Sequence, residues 1–376
     1  MTAVRNVLVV GAGAAGAATA ILLAEGGVSV DLIDIKPDVS VVGSGITLQG
    51  NALRVLRRLG VWDRVLAHGY AFDTLGLRAP GPQGTLIAEL DDVRTGGPDL
   101  PATLGMYRPT LARILLDRAA EVGAKVRFGT TYTTLDQDSS GVDVTFADGG
   151  TGRYDLVVGA DGVRSWTRRM LGINVETKGT GMGIWRAFAP RPDTVVRTDL
   201  FYGGPSYIAG YCPTGADSLY AYIVEAAQDR SMLTPAESLE VMRGLSQAYH
   251  GPWDDVRASL TDPATVNYTW FESHVLPAPW HRGRVMLIGD AAHTCPPTLA
   301  QGAAQAFEDA AVLTELLLSA RRLDDGLWQS FTDRRFHRAQ TIVDASLQLA
   351  AWLLAHELGD VPGLMAQVSH LLSDPA

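Results

Sequence analysis

The chain has 376 residues, enough to bury a large core and to divide into more than one domain. With 47% hydrophobic and 19% charged residues it is not a disordered chain, and a formal net charge of -10 without a basic stripe argues against nucleic acid and anionic lipid as partners. Two distant cysteines, Cys212 and Cys295, exclude a disulfide scaffold and match no metal-ligand spacing, so no metal is expected. No signal peptide and no long apolar run is present, which makes the cytoplasm the expected location.

Taken in chain order, Asn6–Val10 reads as a buried strand, and Gly11–Gly16 turns it into a helix reaching about Glu25. Val28–Ile33 reads as a second strand ending at Asp34, then Gly43–Gly50 as a Gly-rich loop and Asn51–Leu59 as a half-buried helix. Residues 79–101, rich in Gly, Pro and Asp, read as inserted strands and turns. Pro109–Val122 is predicted as a helix with Pro at its start. Val126–Phe128, Val142–Phe146 and Tyr154–Val158 are predicted strands. From Gly179 to Phe271 recurrent tyrosines between Gly-Pro turns predict an antiparallel sheet, interrupted by one helix near Pro235–Tyr249. Arg284–Ile288 reads as a strand that returns the chain to its first domain, and Gln301–Ser319 and Leu327–Leu358 as closing helices.

The expected fold class is α/β, with a discontinuous Rossmann-like domain over 1–75, 102–178 and 279–376. A mostly antiparallel sheet domain over 76–101 and 179–278 is inserted into it, and helices close the C-terminal end. The Gly11-Ala-Gly13-Ala14-Ala15-Gly16 turn follows a strand and opens a helix. Gly11 permits the turn, Gly13 lets backbone approach a pyrophosphate, and Gly16 allows close helix packing. The helix N-terminus offers free N–H groups to phosphate. Asp34, eighteen residues after Gly16, is placed to accept from a ribose hydroxyl. This fingerprint alone does not choose between NAD and FAD.

Two further segments narrow the choice: Asp155-Leu-Val-Val-Gly159-Ala-Asp161-Gly162-Val-Arg164-Ser165-Trp-Thr-Arg168, and Arg284-Val-Met-Leu-Ile-Gly289-Asp290-Ala-Ala-His293-Thr-Cys-Pro-Pro297, which runs on to Gln301-Gly302 and Glu308-Asp309-Ala310. With the first turn, in this order, the chain resembles the class A flavoprotein monooxygenases, which include hydroxylases of salicylate, hydroxybenzoates, 6-hydroxynicotinate and urate. The resemblance implies non-covalent FAD, with NADH or NADPH as transient co-substrate, since no second Gly-rich fingerprint exists. It implies that Gly11, Gly13, Gly16 and Asp34 form the ADP-binding turn and ribose acceptor, and that Ala14, Ala15, Lys36 and Gly45 also bind the cofactor. By the same resemblance Arg108 reaches the flavin side of the pyrophosphate or ribityl chain, and Asp161 and Gly162 touch both FAD and the nicotinamide cofactor. Asp290 binds the ribityl hydroxyls, Pro297 through Gly302, with Gln301, lie beside the reactive edge of the flavin, and Gly289 and Ala303 also bind the cofactor. Many relatives carry an Arg after the second strand; here Lys36 is the only cation nearby, which leaves the choice between NADH and NADPH open.

The activity implied is transfer of one oxygen atom from O2, through a flavin hydroperoxide, to a small aromatic or heteroaromatic ring in a site that excludes water. Thr47, Gln49, Trp185, Arg186, Tyr207, Tyr211 and Tyr222 are the expected substrate contacts, and Pro297, Tyr207, Tyr211 and His293 the candidate catalytic positions. For His293 a structural hydrogen bond is the favoured role, and Arg186 either holds a substrate carboxylate or pairs with a surface acid. The expected partners are substrate and O2, with no membrane or nucleic acid, in a monomer or homodimer. The alternatives are an FAD-dependent reductase or dehydrogenase and an oxygenase of larger polycyclic compounds. A halogenase is disfavoured because no Trp-x-Trp-x-Ile-Pro segment occurs.

Overall fold

The computed structural model describes residues 2–39 and 45–376. The chain opens with β1 (Asn6–Val10), α1 (Ala14–Glu25) and β2 (Ser29–Ile33), the strand–helix–strand unit that the Gly-rich turn demands. Then come β3 (Gly45–Gln49), α2 (Gly50–Arg58), α3 (Trp62–His68), β4 (Gly69–Phe72), β5 (Thr74–Arg78), β6 (Leu86–Asp91) and β7 (Thr103–Tyr107). They are followed by α4 (Arg108–Glu121), β8 (Lys125–Arg127), β9 (Tyr132–Gln137), β10 (Val142–Phe146), β11 (Thr151–Tyr154), β12 (Leu156–Gly159) and α5 (Trp166–Met170). The inserted part holds β13 (Lys178–Pro190), β14 (Thr198–Phe201), β15 (Ile208–Pro213), β16 (Ser218–Ala226), α6 (Pro235–Ser246), α7 (Pro252–Ser259) and β17 (Val266–Val275). The chain closes with β18 (His281–Arg282), β19 (Val285–Leu287), β20 (His293–Thr294), α8 (Gly302–Ser319), α9 (Asp325–Ala355) and α10 (Val361–Ser373).

A six-stranded sheet in the order β18-β19-β12-β1-β2-β8 carries the N-terminal unit, and its strands are parallel except for β18. Fully buried parallel strands need apolar side chains on both faces, which is why β1, β12 and β19 read as continuous apolar runs. Helices α1 and α8 pack against each other in its core. An eight-stranded sheet, β20-β17-β13-β16-β15-β14-β5-β6, is antiparallel apart from the β14–β5 pair. One of its faces buries Trp185, Ala187, Leu219, Ala221 and Ile223 with Tyr249 and Trp253 from the α6–α7 region. Its other face turns toward the cofactor domain.

Sequence and structure differ at β3. Residues 43 and 44 of the expected loop lie outside the described residues, and 45–49 form a strand paired antiparallel to β7. Gly residues suggest a turn locally, but the pairing that makes β3 a strand comes from Thr103–Tyr107, far along the chain. The sequence reading places no separate helices at α3, α7 and α10, although Val361, Leu364, Met365, Val368, Leu371 and Leu372 of α10 follow a helical spacing.

Candidate active site

Three loops meet: the turn before α1, the loop of Asp161 and the loop of Asp290. Gly11 has φ +99°, and a Cβ there would sit 2.3 Å from the Ala160 carbonyl oxygen, so this turn and the Asp161 loop touch. A Cβ on Gly16 would meet the Gly11 oxygen at 1.8 Å. Both glycines are required for packing. Gly13 has a different character: it is exposed, and a Cβ there would meet nothing within 4 Å. It caps α1 without a side-chain hydrogen bond, leaving the N–H groups of the first turn, Ala14 and Ala15 included, open to an anion. Gly289 is wedged where α1 and α8 meet: its Cβ would lie 3.0 Å from the Ala15 Cβ and 3.4 Å from that of Ala306.

Asp34 accepts from the N–H groups of Ala12 and Lys36 at 2.9 Å each, so it shapes the first turn and stays half-exposed. Lys36 is exposed. Asp161 accepts from Ser165 Oγ, from the Thr167 N–H (2.8 Å) and from Thr167 Oγ1 (2.9 Å). That carboxylate organises the start of α5 and presents Gly162, at φ +82°, to open space. Arg168 is buried and donates to the Val163 carbonyl (2.7 Å) and the Ala291 carbonyl (2.9 Å), tying the second loop to the third.

Asp290 contrasts with these used carboxylates. Protein crowds around it, yet solvent reaches it, as expected of a group on the wall of a deep cleft. Burial pushes its carboxyl above the ordinary range, offset by His293, Arg108 and a hydrogen bond from Thr294. Arg108 is exposed at the start of α4 and makes no ion pair among the described residues. The third loop continues through the exposed Pro297 to Ala300, which holds a left-handed conformation at φ 52°. Gln301 then caps α8 with backbone only, and Gly302 and Ala303 begin the helix half-buried, Gly302 facing open space.

Two uncapped helix starts, an exposed carboxylate and an exposed guanidinium thus lie on or beside these touching loops, and that donor set has the chemistry FAD requires: N–H groups and a cation for phosphate, and an acceptor for hydroxyls.

A buried network supports this loop from below. Gln301 Nε2 donates to Gln49 Oε1, and Asn51 Nδ2 donates to Gln301 Oε1 (3.0 Å) and Glu308 Oε1 (3.1 Å). Arg335 binds Glu308 (2.9 Å) and Asp309 (2.7 Å), and Arg338 binds Glu308 (2.8 Å). Asp309 also accepts from the Gly289 N–H (2.8 Å) and lies 2.7 Å from His293 Nε2. Leu299 packs on Ile342, Val368 and Leu372, so α9 and α10 back the same loop.

The eight-stranded sheet faces this loop with one of its two sides. Strand pairing puts Ile184, Arg186 and Phe188 of β13 on one face with Tyr220, Tyr222 and Val224 of β16, Ile208, Gly210 and Cys212 of β15, and Asn267 and Thr269 of β17. Ile184 and Val224 pack near Leu353 and Leu354 of α9. Phe188 meets Tyr107 at 4.5 Å between ring centroids, and Tyr220 packs with Phe72 and Cys212. Gly45 is needed there, because its Cβ would lie 2.4 Å from that of Tyr220. Thr47 reaches Cys212 at 3.6 Å. Tyr207 is half-buried, 5.6 Å from the His356 ring.

Two expected positions are corrected. Trp185 and Tyr211 point to the opposite face, into the α6–α7 core, where Trp185 Nε1 donates to Glu225 (2.9 Å) and Tyr211 Oη donates to Asp199 (2.7 Å). Neighbours along a strand alternate faces, so Trp185 and Arg186 never line one pocket together. His293 is buried against Trp280 with Nε2 2.7 Å from Asp309, the hydrogen-bonded placement that the sequence favoured for it. Sequence reasoning misses Tyr220, Phe188, Tyr107 and Asn267, although the spacing of Tyr220 and Tyr222 already places both on one face.

Comparison with known proteins agrees with this geometry. Residues 5–346 match the family described as FAD binding domain. The chain is 31% identical over 365 residues to YetM of Bacillus subtilis (strain 168), named as an FAD-dependent monooxygenase, with 94% of this chain and 95% of that one covered. It is 30% identical over 370 residues to 6-hydroxynicotinate 3-monooxygenase of Bordetella bronchiseptica, covering 94% of each. The solved structure of the tetrameric form of 2-methyl-3-hydroxypyridine-5-carboxylic acid oxygenase superposes with a TM-score of 0.80 at 26% identity, covering 97% of this chain and 96% of that one. Among the described residues no helix is long and apolar enough to cross a membrane, and no group of side chains is arranged to hold a metal. The chain belongs to the FAD binding domain family, within the class A flavoprotein monooxygenases, and is an FAD-dependent monooxygenase.

Proposed function

We propose that this enzyme hydroxylates a small aromatic or heteroaromatic ring held between the sheet face of Arg186, Phe188, Tyr220 and Tyr222 and the loop Pro297–Gly302. The observation that carries the reading is the hydrogen bond from Gln301 to Gln49, which joins the start of α8 to the strand that also bears Thr47. Residues 1–75, 102–178 and 279–376 hold the cofactor in this reading, and 76–101 with 179–278 hold the substrate.

The chemistry FAD supplies when bound is electron transfer from NADH or NADPH to O2 and delivery of one oxygen atom. The chain does the rest. The α1 turn and Arg108 would hold the phosphates, Asp290 would accept from the ribityl hydroxyls, and the α8 start would favour negative charge near Gly302. Phe188, Tyr107 and Tyr220 form an aromatic wall that excludes water beside the ring. Both related enzymes named above for their substrates act on hydroxylated nitrogen heterocycles bearing a carboxylate, which supports a flat ring substrate here. The two unpaired cysteines support a cytoplasmic site of action; the assembly proposed is a monomer or homodimer.

The test is to load the protein with FAD and follow NADH and NADPH oxidation and O2 uptake with phenolic acids and hydroxylated N-heterocycles. Ring-dependent uptake of O2, with one labelled oxygen atom in the product, is expected. Stimulated NAD(P)H oxidation without O2 uptake would make the enzyme a reductase.

A further inference from the structure

Gly45, Thr47 and Gln49 share one face of β3, because side chains alternate along a strand. Gly45 packs on Tyr220 and Thr47 reaches Cys212, both on the proposed ring-binding face of the large sheet. Gln49 bonds to Gln301 at the start of α8, and Leu48, on the other side of the strand, lies in the core. Gln49 therefore stands where the sheet face meets the Pro297–Gly302 loop. It is half-buried; its Nε2 group makes no hydrogen bond to any described residue and is not sealed from solvent.

An amide side chain has a donor end and an acceptor end of the same shape, so its direction is set by partners that can play only one role. Two such partners lie beneath Gln49. Arg335 can only donate, and its Nη2 binds Gln305 Oε1 (2.8 Å), which leaves Gln305 Nε2 to donate to Gln301 Oε1 (3.3 Å). Glu308, a carboxylate between Arg335 and Arg338, can only accept. Asn51 Nδ2 donates to it with one hydrogen and to Gln301 Oε1 with the other. Both routes bring a donor to the Gln301 oxygen, so Gln301 turns its nitrogen toward Gln49. Gln49 must answer with its oxygen, and its NH2 group is left for the ring. Asn51, Gln301 and Gln305 are at most 1% exposed, which keeps solvent from supplying another partner.

We infer that Gln49 is a specificity-determining donor: the buried pair Arg335 and Glu308 polarises the amides of Gln305, Asn51 and Gln301 so that Gln49 offers N–H, and not oxygen, to the substrate. This rests on the reading of the space between the sheet face and the loop as the substrate site. The group that meets Gln49 is then an oxygen able to accept, from a hydroxyl, a phenolate or a ring carbonyl. An amino group in the same place is disfavoured, because it would set hydrogen against hydrogen. Gln305 and Asn51 are positioning residues, which act on the ring only through Gln301 and Gln49.

The test uses matched pairs on the FAD-loaded enzyme, a hydroxybenzamide with the corresponding aminobenzamide and a meta-hydroxypyridine with the meta-aminopyridine, at a pH where both members are neutral. Dissociation constants come from perturbation of the flavin absorbance, so turnover is not required. In the wild type each hydroxylated ring is expected to bind roughly tenfold more tightly than its amine. Gln49→Glu keeps an acceptor for Gln301 but shows the ring a carboxylate oxygen, and should reverse the preference; Gln49→Met should abolish it. Gln305→Glu keeps the bond from Arg335 but replaces the donor to Gln301 by an acceptor. It should narrow the gap by roughly threefold or more, with no change in any side chain that meets the ring. Where Gln305→Glu fails to fold, Gln305→Met, which removes the donor without adding charge, and the two Gln49 variants decide. Gln305 variants that weaken both members of a pair alike overturn the relay. Equal binding of hydroxyl and amine by the wild type, or a preference that survives Gln49→Glu, overturns the donor role and leaves ring hydroxylation standing. Failure of every ring compound to bind or to be hydroxylated overturns the functional reading, and the donor role with it.

Discussion

Arg335 Nε lies 2.7 Å from Asp309 Oδ1, and neither side chain has any exposed surface. Burial alone would raise the Asp309 carboxyl; His293 and Arg335, with the Gly289 N–H, more than offset it and hold it at about 2. Arg335→Met strands Asp309 and Glu308 in the core and is expected to cost about 3–5 kcal/mol, read by urea unfolding of the FAD-loaded protein. A loss under about 1 kcal/mol would show that the network relaxes around the missing guanidinium.

The same pair sets an acid limit. The folded-state value of Asp309 lies below its ordinary 3.8, so its contribution is fully present above about pH 4 and is lost as pH falls toward 2. Asp309→Asn should therefore flatten the fall in stability between about pH 4 and 2 while lowering stability at about pH 7. An unchanged slope in a pH series of melting curves would place the acid-sensitive group elsewhere.

Asp290 is the exposed carboxylate of the third loop, so Asp290→Ala should weaken FAD binding by roughly tenfold or more while leaving the apoprotein folded. Flavin absorbance after gel filtration and the circular dichroism of the apoprotein measure the two effects separately. Full flavin occupancy in the variant would remove Asp290 from the cofactor site.

Two tyrosines on opposite faces of one sheet should respond oppositely. Tyr211→Phe leaves buried Asp199 short of a donor, and a loss of about 1–2 kcal/mol with unaltered substrate affinity is expected. Tyr222→Phe should leave the melting temperature within error and change the KM of the substrate. The reverse outcome would mean that the strand register assigned to β15 and β16 is wrong.

Ala300 holds φ 52° in the loop before α8, a conformation that costs an L-residue roughly 1–2 kcal/mol. Ala300→Gly removes that strain at the expense of a freer unfolded chain, for a net gain of up to about 1 kcal/mol. Ala300→Val adds β-branching to the same conformation and should lose more than about 1 kcal/mol. Calorimetric melting of the two variants in parallel checks the sign.

The cofactor side is legible in the sequence because its constraints are local. A positive φ at Gly11, a close contact at Gly16 and an acid at the end of β2 follow from a few adjacent residues. The substrate side depends on register, which distant strands set. Trp185 and Arg186 both read as pocket residues from sequence, although one pleat sends them to different faces. Sequence reasoning favours Tyr211 where Cys212 faces the cavity, and it makes Gly45–Gln49 a loop because the pairing partner, Thr103–Tyr107, lies so far along the chain.

Alternation on the central strands also separates what can be redesigned from what must be kept. Positions 186, 188, 220 and 222 look into the cavity, while 185, 187, 219, 221 and 223 hold the sheet to α6 and α7. A library that varies every second residue of β13 and β16 would sample new ring specificities on an unchanged scaffold. A contiguous library of the same size would spend half its diversity on unfolding the sheet.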